Sequence, residues 1–249
     1  MSVFSLVDAG PGNPELLTLR ASRLISEADT ILTSGTEMNR EILKGVKQGA
    51  RIQDTSKMPL EDIIKRLTPD LMEEKKVVYV YSDDPAMSGT IFQLMVELER
   101  YQLPYEMVPG VSAWSAAAAA LNQRLTLPYL SETVIVTRRD QEAVLRQKDS
   151  LAALAKHNTT MVVFINLETV RDVVGELTGP YRGDTPAVII HDLTCQAQKI
   201  LRLKLSEIAD AVEKEEGTGR ALLIVGDVLD PVLRTIDMPN PFRMNDENS

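Results

Sequence analysis

Apolar positions along this chain fall into short runs that switch between two periods. Val3–Val7 (VFSLV) and Val77–Tyr81 (VVYVY) are compact β-branched and aromatic runs, the pattern of buried strands. Between them, Leu17, Ala21, Leu24, Ile25 and Ala28 form one helical stripe. Further signals predict a strand at Thr30–Leu32, a short helix at Arg40–Gly45, a strand at Arg51–Gln53 and a helix from Pro59. Pro69 is expected to end or kink that helix, because proline lacks the amide donor. After Val77–Tyr81 comes a polar break, Ser82-Asp83-Asp84-Pro85, and then a helix with Ile91, Leu94, Met95 and Leu98 on one face. Tyr105–Val108 reads as the next strand, stopped by Pro109-Gly110, and Ser112 is placed to cap an Ala-rich helix over Ala113–Leu121. Repeated β–α units of this kind build a doubly wound, mostly parallel sheet, whose carboxyl edge is where small molecules bind.

Beyond a polar stretch at Asn122–Ser131, the expected linker, the pattern changes. Strands are expected at Thr133–Thr137, Thr160–Ile165, Ala187–His191, Lys199–Leu203 and Ala221–Val225, with helices at Ser150–Lys156, Glu168–Leu177 and Ser206–Glu215. Ala187–His191 and Lys199–Leu203 leave no room for a crossover helix, so they are expected to pair antiparallel in a mixed sheet. The predicted organisation is an α/β domain over 1–125, a second α/β domain with a mixed sheet over 130–238, and a polar tail over 239–249. The Ala116–Ala120 run reads as a helix face built for close packing.

Composition narrows the function. The chain has 249 residues, a net charge of −9 and a pI near 4.9. This acidity argues against nucleic-acid binding, which needs clustered Lys and Arg. The single cysteine, Cys195, excludes an intramolecular disulfide and fits a reducing compartment. No apolar run approaches the roughly 20 residues of a membrane span, and the first residues lack signal-peptide features. The expectation is a cytoplasmic protein with no membrane and no nucleic-acid partner.

The candidate chemistry is sparse. The first strand ends in Gly10-Pro11-Gly12, with Asn13 as a helix cap and Pro14 at the first helical position. Such a loop lets a ligand approach the backbone, though it lacks the GxGxxG spacing of the dinucleotide fingerprint. His157, His191 and Cys195 have no metal-ligand spacing, and no GxSxG, HExxH or P-loop occurs. Asp83-Asp84 read either as turn residues or as a general base or metal pair. Trp114 reads either as core packing or as a flat face for a planar ligand. Glu213, Glu215 and Glu216 read as a solvated helix end. A pocket walled by backbone groups, without metal or nucleophile, suits group transfer from a cofactor that is already activated.

Taken together the motifs resemble the tetrapyrrole (corrin/porphyrin) methylase family nearly to Leu229. They are AGPGNPELLTLRA (9–21), DDPAMSG (83–89), VPGVSA (108–113), LTLP (125–128) with VIVTR (134–138), and ALLIVGDVL (221–229). Within that family, TILTSGTEMNREIL and DTSKMPLEDI look most like the precorrin-4 methyltransferases, which methylate carbon 11 of the macrocycle on the route to cobalamin. The resemblance implies a homodimer of two α/β domains, with S-adenosylmethionine in the cleft between them and a corrin precursor as substrate. It implies that Pro11, Asp83, Asp84, Pro85, Ser112 and Ala113 hold the cofactor, with Ile165, Ala221 and Leu222 around its adenine, chiefly through backbone. It puts Gly10 and Gly12 beside the tetrapyrrole, and charge makes Arg20, Arg138 and Arg139 candidates for the substrate's acidic side chains. No catalytic proton-transfer residue is assigned.

The chain departs from the family pattern at Asp8 and Asp83, where glycine is usual, and at Met87-Ser88, where Leu-Tyr is usual. It departs again in the charged segment after Arg138 and at His191-Asp192-Leu193-Thr194. Two other readings stay open: a homologue that binds a tetrapyrrole or the cofactor without turnover, as carrier or regulator, and a methylase of another acceptor.

Overall fold

The computed structural model describes residues 1–35, 39–82, 84–139 and 149–235. The first of its two five-stranded sheets contains β1 (Phe4–Asp8), β2 (Thr30–Thr33), β3 (Arg51–Asp54), β4 (Val77–Tyr81) and β5 (Tyr105–Val108). Its order is β3-β2-β4-β1-β5 and every pairing is parallel. β1 and β4 are buried along their whole length, as their continuous apolar runs require of central parallel strands.

Side-chain alternation along β1 sorts the crossover helices onto two faces. Val7 joins Val78 and Val80 under α1 (Leu19–Glu27), which supplies Ala21 and Ile25. Phe4 and Leu6 join Tyr79 under α2 (Leu60–Met72) and α3 (Gly89–Arg100), which supply Leu67, Leu71, Leu94 and Leu98. The chain therefore leaves β1 toward one face and leaves its neighbour β4 toward the other. The crevice between their carboxyl ends is the switch point at which open α/β sheets take ligands.

The second sheet contains β6 (Val134–Arg138), β7 (Thr160–Asn166), β8 (Pro186–His191), β9 (Lys199–Lys204) and β10 (Arg220–Val225), in the order β6-β7-β10-β8-β9. Only β6 and β7 run parallel, and β8–β9 is the expected antiparallel pair. Helices α5 (Leu151–Ala155), α6 (Val170–Leu177) and α7 (Leu205–Lys214) cover one face. The other face is covered by α4 (Ala113–Leu121), whose Ala116, Ala117 and Leu121 lie against Val162, Val188, Leu222 and Ile224. The small side chains of α4 allow the close approach expected of them. Arg202 Nη2 donates to the Leu121 carbonyl at 3.0 Å, and Gln123 Nε2 to the Val228 carbonyl at 2.7 Å, fastening the end of α4 to the second sheet.

Four local expectations change. Asn13 and Pro14 open only a 3-10 turn, Pro14–Leu16, and α1 starts at Leu19, capped by the Thr18 hydroxyl on Ala21 N–H at 3.2 Å. Two competing caps lie five residues apart, and the second governs the long helix because the apolar stripe is in phase with it. Arg40–Leu43 is a 3-10 turn rather than a helix reaching Gly45. Pro69 lies inside α2, which continues to Met72. One amide bond is forfeited there, but burial of Leu71 just beyond the proline holds the last turn in place. Ser112 stands at the cap position of α4, yet its hydroxyl points elsewhere and makes no cap bond. Among the described residues no helix is long and apolar enough to cross a membrane.

Candidate functional site

Three loops meet at the carboxyl ends of β4, β1 and β5. Asp8, the last residue of β1, is buried, and its carboxylate accepts the N–H of Gly10 at 2.8 Å and that of Gly110 at 3.1 Å. One side chain thus ties the loop after β1 to the loop after β5. Glycine is required at 110 because a Cβ there would stand 2.6 Å from Asp8 Cγ. Gly10, with φ of +72°, takes a left-handed conformation that suits glycine. Asp8 was readable only as a departure from the family pattern. Its position, an acid at a strand end beside glycines, was the available signal for a clamp.

Asp84 settles into a turn. Its Oδ1 accepts Ala86 N–H at 3.0 Å and its Oδ2 takes the Ser112 hydroxyl, which joins the loop after β4 to the start of α4. Of the two readings of this acidic pair, Asp84 follows the turn reading, and Asp83 lies outside the described residues. Since Ser112 is turned toward Asp84, its hydroxyl does not cap α4, whose first amides face the loop after β4 without that partner. Pro85 follows in the same turn and Ala113 begins the helix. Close by, Ser82 Oγ is buried with no hydrogen-bond partner among the described residues.

The second sheet grips the same loops from across the cleft. Arg138, at the end of β6, donates to the Met87 carbonyl at 3.0 Å, and Arg220, at the start of β10, donates to the Ser82 carbonyl at 3.2 Å. Thr194 Oγ1 accepts Asn13 N–H at 2.9 Å, and Asn39 Nδ2 donates to the Gly12 carbonyl at 3.0 Å. Gly12 has a φ of +135°, and a Cβ on it would stand 2.5 Å from Cys195 Sγ and 3.1 Å from the Leu193 carbonyl. Pro11 is half-buried beside it. Burial, and secondarily the charge of Asp192, pushes the Cys195 thiol up. Thr194 was readable only as part of a departure from the family pattern, and Arg220 and Asn39 were not singled out, because hydrogen bonds between distant segments leave no local pattern.

The remaining candidates divide. Ile165 and Ala221 are register partners across β7 and β10 with side chains in the α6–α7 core, whereas Leu222 points to the α4 side. Arg20 pairs with Glu106, which also accepts the Ser5 hydroxyl at 2.9 Å. Arg139 pairs with Glu176 at 2.8 Å. Of the three arginines, Arg138 is the one brought onto the loop after β4. Trp114, at the start of α4, is 37% exposed, so it is not a core residue. His191 Nδ1 lies 3.2 Å from Asp192 Oδ2. Among the described residues no cluster of His, Cys, Asp and Glu could hold a metal ion.

Known proteins with the same pattern can be set beside this geometry. The family model described as Tetrapyrrole (Corrin/Porphyrin) Methylases matches residues 3–209. A cobalt-precorrin-4 C(11)-methyltransferase of Methanocaldococcus jannaschii is 40% identical over 227 residues, covering 91% of this chain and 88% of the relative. The X-ray structure of a cobalt precorrin-4 methyltransferase superposes with a TM-score of 0.87 at 33% identity, covering 92% of this chain and 96% of that one. The crystal structure of a uroporphyrin-III C-methyltransferase from Thermus thermophilus, in complex with S-adenosyl homocysteine, superposes with a TM-score of 0.72 at 25% identity, covering 92% and 99% of the two chains.

Proposed function

The chain belongs to the tetrapyrrole (corrin/porphyrin) methylase family, and on that premise we propose that it is a S-adenosylmethionine-dependent C-methyltransferase acting at carbon 11 of a corrin precursor, precorrin-4 or cobalt-precorrin-4. The observation that carries this reading is the meeting of the β1 and β4 loops, themselves tied to the β5 loop by Asp8 and Asp84, with Arg138, Thr194 and Arg220 of the second domain. On the loop side each of these contacts falls on main chain: the Asn13 N–H and the Met87 and Ser82 carbonyls.

The residues present fit the cofactor. The start of α4, where Ser112 makes no cap bond, offers amide donors to a carboxylate. Ser82 Oγ is a buried polar atom lacking a partner among the described residues, and at Gly12 and Gly110 an added Cβ would fill the space where loops approach. When bound, S-adenosylmethionine supplies a methyl group made electrophilic by its sulfonium. The chain's part is to aim and shield. Pro11, Asp83, Asp84, Pro85, Ser112 and Ala113 hold the cofactor, and Ile165, Ala221 and Leu222 border its adenine through backbone. Gly10, Gly12, Arg20 and Arg138 face the macrocycle. Orientation of this kind can lower a barrier by at most about 7–11 kcal/mol.

The same reading makes the chain a cytoplasmic homodimer, with one domain over 1–125, a second over 130–238 and a tail over 239–249. Calorimetric titration with S-adenosylhomocysteine tests it first, with micromolar affinity expected. Methyl transfer to precorrin-4, one methyl per macrocycle, is the second step. An absence of binding at millimolar ligand would sink the cofactor assignment, and binding without transfer would sink the substrate.

A further inference from the structure

A cavity of about 430 Å3 opens at the carboxyl ends of β2 and β3, outside the three loops of the cleft. It is lined by Thr33, Gly35, Arg40, Leu43, Lys44, Ile52 and Asp54. The lining at Thr33 and Gly35 is rigid. Thr55 donates both its N–H and its hydroxyl to the Thr33 carbonyl, each at 2.9 Å, and Gly35 passes so close to Ser56 that a Cβ would stand 3.1 Å from Ser56 Cβ. Asn39, next to Arg40, is bonded to the Gly12 carbonyl, so this wall adjoins the cleft.

The cations in the cavity differ. Lys44 is bridged to Glu41. Arg40 is exposed, and among the described residues its guanidinium has no hydrogen-bond partner. Asp54 faces the same space. The N–H and hydroxyl of Ser56, and then the charge of Arg40, hold its carboxyl below the usual range, so it stays ionised near neutral pH. Beside Arg40, Leu43 and the 48%-exposed Ile52 offer apolar surface. A planar guanidinium without a hydrogen-bond partner among the described residues, next to apolar side chains, suits a carboxylate on a short methylene arm. With Lys44 paired to Glu41 and Asp54 ionised, Arg40 is the single guanidinium on which one such group, and not a cluster, could be held. The volume admits an arm and the edge of a ring, not a whole macrocycle.

We propose that this cavity is a substrate subsite in which Arg40 receives one peripheral carboxylate of the tetrapyrrole, fixing which way the ring enters the cleft. This rests on the methyltransferase reading above. Its lining residues Thr33, Gly35, Arg40, Leu43 and Asp54 fall in the two segments that most resemble the precorrin-4 methyltransferases. They are the place where discrimination among related macrocycles would be built.

Steady-state methyl transfer to precorrin-4, with parallel titration of S-adenosylhomocysteine, tests it on Arg40→Ala and Arg40→Lys. The expected result for Arg40→Ala is a KM for the macrocycle raised about tenfold, as for loss of a charged hydrogen bond, with kcat within about threefold and cofactor affinity unchanged. Arg40→Lys should recover part of the loss. An unchanged KM in Arg40→Ala overturns the subsite, as does a parallel loss of cofactor affinity, which would mark a structural role. Failure of the unsubstituted protein to methylate precorrin-4 would instead overturn the substrate reading, and the subsite with it.

Discussion

The two ends of the parallel sheet use charge in opposite ways. At the amino edge, acids and bases close on one another. Buried Asp70 receives the Thr30 hydroxyl at 2.9 Å, the Arg51 guanidinium, and Lys75 Nζ at 3.2 Å. Asp29 accepts Lys47 Nζ at 2.5 Å and Lys76 N–H at 2.7 Å, and Lys76 reaches Glu27 at 2.7 Å. At the carboxyl edge buried Asp8 is met by backbone amides, Ser112 makes no cap bond to α4, and Arg40 is left without a hydrogen-bond partner among the described residues. Paired groups stabilise the fold and have little left to offer a ligand. Groups whose partners are main chain, or absent, are available for recognition.

Substitutions at the two edges should therefore separate stability from binding. The largest effect is expected at Gly110→Ala, where the new Cβ would meet Asp8 Cγ at 2.6 Å and the Asp8 carbonyl at 2.9 Å. Overpacking should cost about 1–3 kcal/mol and pull apart the two loops that Asp8 joins. The expected readout is a loss of S-adenosylhomocysteine affinity larger than the loss of stability explains. Equal affinity would mean the loops do not shape the cofactor site.

Asp70→Asn is expected to show the reverse, a loss of stability of about 1–3 kcal/mol with cofactor affinity intact. Burial by itself would raise the Asp70 carboxyl, but hydrogen bonds from Thr30, Arg51 and Lys75 together hold it below its ordinary value. A lowered folded value contributes stability above the unfolded pKa, near 4, and that stability is lost as pH falls through the folded value. Denaturation followed from pH 7 to 2 should fall less steeply below about pH 4 in Asp70→Asn. Identical slopes would remove Asp70 from the account.

The smallest effect is expected at Arg20→Ala. Its pairing with Glu106 is half exposed, so stability should change by about 1 kcal/mol or less. A raised KM for the macrocycle, with stability unchanged, would mean that Arg20 leaves Glu106 for substrate. An unchanged KM would return it to the surface.

Much of this fold was legible because strands and helices impose their periods on neighbouring residues. Val77–Tyr81 and Tyr105–Val108 match their strands residue for residue, and the spacing between Ala187–His191 and Lys199–Leu203 was enough to imply antiparallel pairing. The start of α1 was misplaced because Asn13 and Thr18 are both competent caps, and choosing between them takes the packing of the stripe they precede. The glycine and proline loops were legible as loops. What they are fastened to was not, since Asn13 meets Thr194 and Ser82 meets Arg220 across more than a hundred residues of chain. Asp8 looked like a misfit next to a glycine-rich pattern until Gly110 appeared beside it.

Helix α4 springs from the last strand of one sheet and covers a face of the other, and this decides how far the molecule can be taken apart. A cut in the polar stretch after Asn122 would leave Val162, Val188, Leu222 and Ile224 bare on the carboxyl-terminal fragment. A cut that keeps α4 with those residues must fall at Pro109–Ser112, through a loop of the cleft itself. The two halves are thus not interchangeable modules. Recombination with relatives would have to exchange this helix together with the sheet it covers, and rebuild the cleft at the seam.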